Sequence, residues 1–284
     1  MKPMPELPEV ETIVRRLNPL LTGRQIQSVQ VKREKSFQGK ANEVVGAKVT
    51  KVWRRAKLVI INLDNQKYLL IHLKMTGQLI FVDKNQKTGG GHPTKDWLNQ
   101  LPGKHTRVVF RFLPSGTLFF NDMRVFGWVK VVDEFQLKQE LQKYGPDIVD
   151  AKLTADKFYH LLQSSQRAVK LVILDSHKVA GIGNIYACDG LNLAKISPFR
   201  PANSLTLLES NRLLRSLRQV VKLGIKHQGA TVSDYMTADG VKGGYQKIMR
   251  VYAKEGLPCP NCGAPIRRAK QGGRSTYWCD RCQK

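Results

Sequence analysis

The chain has no long apolar run. Its longest, such as residues 58–61 and 171–174, fall far short of the roughly 18 residues that a membrane-spanning helix needs. Glu6, Glu9, Glu11, Arg15 and Arg16 interrupt the opening segment where a secretory leader would need an uncharged stretch. We therefore expect a cytoplasmic chain with no membrane partner. Cysteine is scarce: four of the five lie between positions 259 and 282, which excludes a disulfide-built scaffold. No long internal repeat is present, so a solenoid is excluded. Acidic residues are also few, 22 against 47 Lys and Arg, for a net charge of +25.

Folding does not need that cationic excess, and self-repulsion opposes it, so a polyanionic partner is implied. Nucleic acid is the first expectation, because Lys and Arg contacts to phosphates release condensed counterions. A ribosomal-type basic protein or a merely solvated surface would share the charge. The 284 residues, 42% of them hydrophobic, suffice for two or three modest domains.

Residues 5–21 predict a helix, with Val10, Ile13, Val14, Leu17 and Leu21 at helical spacing and Gly23 as its stop. From 25 to about 132 the texture changes to short β-branched and aromatic runs at 49–52, 58–63, 68–73, 108–113, 117–121 and 128–132. This predicts an antiparallel sandwich or barrel. The Lys- and Gly-rich stretch 84–91 reads as a loop. Beyond Gly145 the pattern becomes helical at 154–163, 168–175, 185–193 and 205–223, the last opening on Thr206-x-x-Glu209. Residues 231–246 read as a loop. The fold class is thus α+β, with domains expected at 1–135, 136–246 and 247–284.

Cys259-x-x-Cys262 and Cys279-x-x-Cys282 have the spacing of a four-thiolate structural Zn²⁺ site. Redox dithiols or disulfides are the alternative. Cys188 reads as a buried, inert helix residue. Between the knuckles lie Arg267, Arg268, Lys270, Arg274 and Tyr277, a composition suited to phosphate contact or stacking. Gly181-Ile182-Gly183-Asn184 is a tight turn that either opens a phosphate-binding helix start or makes a simple helix corner.

Taken together, Met4-Pro5-Glu6-Leu7-Pro8-Glu9-Val10-Glu11-Thr12, Arg54-Arg55-Ala56-Lys57, His72-Leu73-Lys74-Met75-Thr76-Gly77, Asp122-Met123-Arg124-Val125-Phe126-Gly127 and Gly181-Ile182-Gly183-Asn184-Ile185-Tyr186-Ala187 resemble the formamidopyrimidine-DNA glycosylases. They stand in that family's order, and the four-cysteine finger closes the chain. The resemblance implies an N-terminal helix with a β-sandwich, a helix-two-turn-helix domain and a zinc finger. It also implies a bifunctional repair enzyme that excises oxidised purines from double-stranded DNA and then cuts at the abasic site. Such an enzyme would act as a monomer on duplexes with oxidised bases or abasic sites, with zinc structural and no other cofactor.

The resemblance assigns Pro5 as the nucleophile. An α-amino group titrates near 7.7–8.0 against about 10.4 for lysine, so at neutral pH roughly a tenth is free base. Attack on the sugar C1′ expels the base and leaves an imine. Proline is a secondary amine, so that imine is a permanent cation and an electron sink for elimination. Glu6 matches the acid/base, though a carboxylate there would also suit a helix first turn. Lys57 matches a lysine used in β-elimination, and Arg274 a finger arginine linked to phosphate binding and δ-elimination. Asn184, His105 and Lys170 match phosphate or basic positions, and His72 lies within a matched DNA-binding motif. Met75, Arg124 and Phe126 match three side chains that fill the gap left by an extruded nucleotide; ordinary sheet core is the alternative for Met75 and Phe126. Residues 231–246 align with a lesion-capping segment.

One departure stands out. Met1-Lys2-Pro3 precedes Met4, and while it remains, Pro5 is an amide without a usable lone pair. We expect translation from Met4 and removal of Met4. With the extension retained, the chain would be a non-catalytic lesion binder. An endonuclease VIII-like enzyme for oxidised pyrimidines is a further alternative, disfavoured by Leu7, Thr12 and the Met75/Arg124/Phe126 set. A zinc-ribbon RNA-binding protein would explain the charge and cysteines but not the N-terminal motif.

Overall fold

The structure is a computed structural model that describes residues 4–84, 86–91, 100–230, 236–237 and 243–284. The chain forms two compact units, one of residues 2–142 with 227–244 and the other of 143–226 with 245–284.

The first unit opens with α1 (Leu7–Leu21), whose apolar stripe Val10, Ile13, Val14, Leu17 and Leu21 is buried as its spacing predicts. Ten strands follow: β1 (Gln25–Val31), β2 (Phe37–Gln38), β3 (Val49–Arg55), β4 (Leu58–Leu63), β5 (Tyr68–His72), β6 (Gly77–Asp83), β7 (Gln86–Gly91), β8 (Thr106–Leu113), β9 (Thr117–Asp122) and β10 (Trp128–Val132). Later in the chain β11 (Met236–Thr237) joins them. They make two sheets, ordered β1-β8-β9-β6-β7-β11 and β2-β10-β5-β4-β3. Pairing is antiparallel except for the short parallel contact of β10 with β2. One core joins α1 to both sheets, with Val52, Ile61, Leu69 and Ile71 from one and Leu79, Phe110, Leu118 and Phe120 from the other.

The expected loop at 84–91 is corrected: Gln86–Gly91 is strand β7, paired with β6 from Gln78↔Gly91 to Asp83↔Gln86. Its glycines fit a sheet for a local reason. Gly89 and Gly91 have φ of +131° and +139°, and a Cβ on either would lie 2.0 Å and 2.4 Å from the carbonyl oxygens of Leu79 and Gly77. Of the expected 231–246 loop, Met236–Thr237 pairs with β7, while 231–235 and 238–242 lie outside the described residues. A helix outside the periodic stretches, α2 (Glu134–Gln142), follows β10 and buries only Leu137.

The second unit holds α3 (Ala155–Gln163), α4 (Val169–Ile173), α5 (Asn184–Leu193) and α6 (Leu207–Lys226), then the hairpin β12 (Arg267–Gln271) and β13 (Arg274–Trp278). Thr154 caps α3, its hydroxyl accepting from Lys157 N. The predicted Thr206–Glu209 box forms in both directions, at 2.9 and 3.2 Å. Helix α5 is buried almost all round, and Gly190 lets α6 approach: a Cβ there would lie 2.6 Å from Leu217.

Candidate nucleic-acid interface and metal centre

Pro5 is buried immediately before α1, and Glu6 is that helix's N-cap in extended conformation. A capping box closes around it. Glu9 N donates to the Glu6 carboxylate, and Glu6 N donates to Glu9 Oε2 at 2.9 Å. The second oxygen of Glu9 accepts Ala230 N at 2.7 Å, so a buried carboxylate the sequence reading left without a role joins the helix start to the chain entering the 231–242 segment.

Lys57 is half-buried on the two-residue turn from β3 to β4, where Ala56 is left-handed at φ +55°. Arg54 holds this turn. Its Nη1 donates to Ala56 O at 3.2 Å and its Nε to Glu11 Oε2 at 2.7 Å. Burial pushes the Glu11 pKa up, but the hydrogen bonds and charges of Arg15 and Arg54 outweigh it and hold the carboxylate below its usual range. The turn carrying Lys57 is thereby pinned to α1.

His72 ends β5 and is 8% exposed; its Nδ1 accepts Lys74 N at 2.9 Å. Burial, with Lys74 and Lys57 nearby, pushes its pKa down to about 3, so the ring is neutral and carries its proton on Nε2. His105 precedes β8, and its Nδ1 is buried without a hydrogen-bond partner.

Met75, Arg124 and Phe126 come together on two adjacent loops. Arg124 Nη1 lies 3.4 Å from the Met75 sulfur, and the guanidinium carbon 4.7 Å from the centroid of the Phe126 ring. Phe126 is 49% exposed, which removes the sheet-core alternative for it; Arg124 is exposed and Met75 half-buried. Beneath them Asp122, fully buried, accepts the Thr76 hydroxyl on Oδ1 and Gly127 N on Oδ2 at 2.6 Å.

In the other unit, Arg274 is exposed at the start of β13. Asn184 begins α5 after the left-handed Gly181, at φ +94°. Its Nδ2 donates to Ser275 O at 2.9 Å, and its Oδ1 is buried without a partner. Lys170 requires a correction: it is 0% exposed, with its ammonium donating to Thr276 Oγ1 at 2.8 Å and Ser275 O at 3.3 Å. A cation so enclosed presents nothing to an external phosphate; it supports the strand that carries Arg274. Asp189, also unforeseen, accepts Val251, Arg250 and Tyr252 N and the Tyr245 hydroxyl, at 2.9 to 3.2 Å. Burial raises its pKa, and those four donors hold it back.

Cys259, Cys262, Cys279 and Cys282 bring their sulfurs within 4.8 Å of one another. The separations Cys259–Cys282 and Cys262–Cys279 are 3.7 and 3.4 Å. Zn–S bonds of about 2.3 Å give tetrahedral edges of about 3.8 Å, so the cage fits one Zn²⁺. Asn261 N and Asn192 Nδ2 point at Cys259 Sγ, as thiolate ligation favours. The four cysteines hold one structural zinc, and the closed ligand set keeps it out of the chemistry. Cys188 is buried in α5 as expected.

Three family models tile the chain: the formamidopyrimidine-DNA glycosylase N-terminal domain over residues 4–129, the H2TH domain of the same enzymes over 144–236, and the zinc finger found in FPG and IleRS over 256–284. A formamidopyrimidine-DNA glycosylase of Desulforamulus reducens is 38% identical over 290 residues, covering 99% of each chain. The crystal structure of the MutM (Fpg) protein from Thermus thermophilus matches with a TM-score of 0.85 and 36% identity over 98% of each chain. A complex of Lactococcus lactis Fpg with DNA containing an abasic site matches with a TM-score of 0.87 and 28% identity, covering 99% of this chain and 100% of that one. With its motifs in order and its whole length matched, the chain belongs to the formamidopyrimidine-DNA glycosylase family.

Proposed function

We propose that the chain is a base-excision DNA glycosylase and abasic-site lyase acting on oxidised purines, 8-oxoguanine and formamidopyrimidines, in duplex DNA. The observation that carries this reading is the contact of half-buried Met75 with exposed Arg124, and of Arg124 with exposed Phe126. Two apolar side chains and a guanidinium on strained loops do not serve a core. They suit insertion into a base stack, with Arg124 able to hydrogen-bond the base left unpaired.

In the proposed reaction the Pro5 amine, once terminal, attacks C1′. The glycosidic bond breaks and the base leaves with a proton; the C1′–O4′ bond then opens, its oxygen taking a proton, and the nitrogen becomes part of a cationic imine. Glu6 assists sugar opening and proton transfer next to that nitrogen, its position fixed by the box with Glu9. Lys57 supports β-elimination from its pinned turn. Arg274, Asn184 and His105 bind phosphates, the exposed guanidinium of Arg274 most directly. His72, being neutral, donates only through Nε2–H. Zinc holds the hairpin that displays Arg274.

Functionally we divide the chain as 1–135 for catalysis, 136–246 for DNA binding with the lesion-capping segment, and 247–284 for the finger. The enzyme works as a single chain in the cytoplasm, on the nucleoid.

Borohydride trapping on an 8-oxoguanine:C duplex tests this, comparing the chain from Met1 with one from Met4. A covalent adduct only for the Met4 form identifies Pro5. Equal trapping by both forms moves the chemistry to another amine such as Lys57. Tight binding with no adduct from either form supports a lesion binder.

A further inference from the structure

Asp122 is a fully buried carboxylate at the end of β9, and burying such a group is unfavourable unless it is well hydrogen-bonded. Here every described bond to its carboxylate comes from one of the two loops that carry Met75, Arg124 and Phe126. The Thr76 hydroxyl and Arg124 N, the latter at 3.1 Å, donate to Oδ1, and Gly127 N donates to Oδ2 at 2.6 Å. Thr76 Oγ1 also accepts Arg124 N at 3.0 Å, which closes a three-membered ring of hydrogen bonds across the loops.

Both loops contain backbone that does not hold itself. Lys74 and Val125 are left-handed at φ +50° and +55°, and Val125 is β-branched. Such conformations persist only where surrounding contacts over-determine them. Gly127 shows how close the approach is: a Cβ there would stand 2.9 Å from His72 O and 3.1 Å from Asp122 Oδ2. The backbone of Asp122 reaches further, its N donating to His105 O at 2.9 Å and its carbonyl accepting Arg107 Nε at 2.7 Å.

We infer that Asp122, acting with Thr76, is a positioning residue that locks the two loops together and so pre-assembles Met75, Arg124 and Phe126 for insertion into duplex DNA. The inference rests on the proposed reading of those three side chains as a wedge. A locked wedge enters the stack without first ordering its loops, so the lock matters for base extrusion and not for steps on an already accessible sugar.

The test compares Asp122→Asn, Thr76→Ala and Thr76→Ser on two substrates: an 8-oxoguanine:C duplex, and a single strand with a preformed abasic site, which needs no extrusion. A 2-aminopurine placed beside the lesion reports insertion through its fluorescence. Expected for Asp122→Asn and Thr76→Ala is a loss of duplex excision on the order of 100-fold, a lost fluorescence step, and single-strand trapping close to wild type. Thr76→Ser, which keeps the hydroxyl, restores both duplex signals. Equal losses on the two substrates, or none on either, would overturn the inference. Should Asp122→Asn fail to fold, the Thr76 pair decides alone. If the wild-type enzyme itself traps on neither substrate, the proposed function fails rather than the positioning role.

Discussion

The guanidinium carbon of Arg124 stands 4.7 Å over the ring of Phe126. This cation–π contact holds the exposed ring and the cation together. Phe126→Ala therefore removes both an apolar member of the proposed wedge and the partner of Arg124. We expect excision from an 8-oxoguanine:C duplex to fall about tenfold, equivalent to roughly 1.4 kcal/mol of the few kcal/mol that unstacking costs. Single-turnover kinetics against Phe126→Leu check it, the leucine retaining most of the apolar volume.

Lys170 and Arg274 lie close in the fold but differ in exposure, and salt dependence separates their roles. Arg274→Ala should lower the slope of log Kd against log salt by about 0.9, the loss of one phosphate contact. Lys170→Met should leave that slope unchanged while lowering the thermal midpoint, because the ammonium it removes faces Thr276 and Ser275. Titrations between about 50 and 200 mM salt on abasic duplex read both variants.

Removal of zinc should loosen the hairpin, because the metal cage closes both of its ends. Chelation, or Cys282→Ser, should release the zinc and weaken DNA binding at least about tenfold, the equivalent of one charge-assisted hydrogen bond from Arg274. Metal content measured alongside Kd checks the order of events.

His72 gives the first unit an acid-sensitive limb. Its pKa falls from 6.5 to about 3 on folding, so between these values the unfolded chain binds the extra proton. Stability is complete above about pH 6.5 and declines as the pH falls toward 3, by at most about 1.4 kcal/mol per unit. His72→Asn, which retains an acceptor for Lys74 N, should flatten the slope of urea-unfolding free energy between pH 6 and 4.

Much of this architecture is legible in the sequence because its signals are periodic or chemically specific. The α1 stripe, strands β3, β4, β5, β8, β9 and β10, the Thr206–Glu209 box and the cysteine cage fall where the pattern puts them, whereas β1, β2 and β6 lie outside the apolar runs. Strand β7 was hidden because its glycines look like a loop until the backbone of β6 is seen against them. Helix α2 was hidden because it buries almost nothing, although Asp133-x-x-Gln136 carries a reciprocal cap, at 2.8 and 3.1 Å, that could have revealed it. Lys170 matches a basic position of the family, but a match in sequence does not say which way a lysine faces. Asp122 and Glu9 stood inside recognised motifs, yet their roles depend on partners brought together only by the fold.

Glu9 couples two distant stretches of chain. One carboxylate oxygen holds the amide of Glu6, and the other holds Ala230, 221 positions away. Loosening either bond deprives the carboxylate of an anchor, so disorder at one end raises the freedom of the other. The chain entering the 231–242 segment and the residue beside the proposed nucleophile thus share a single point of tension, and a substitution at Glu9 is felt at both.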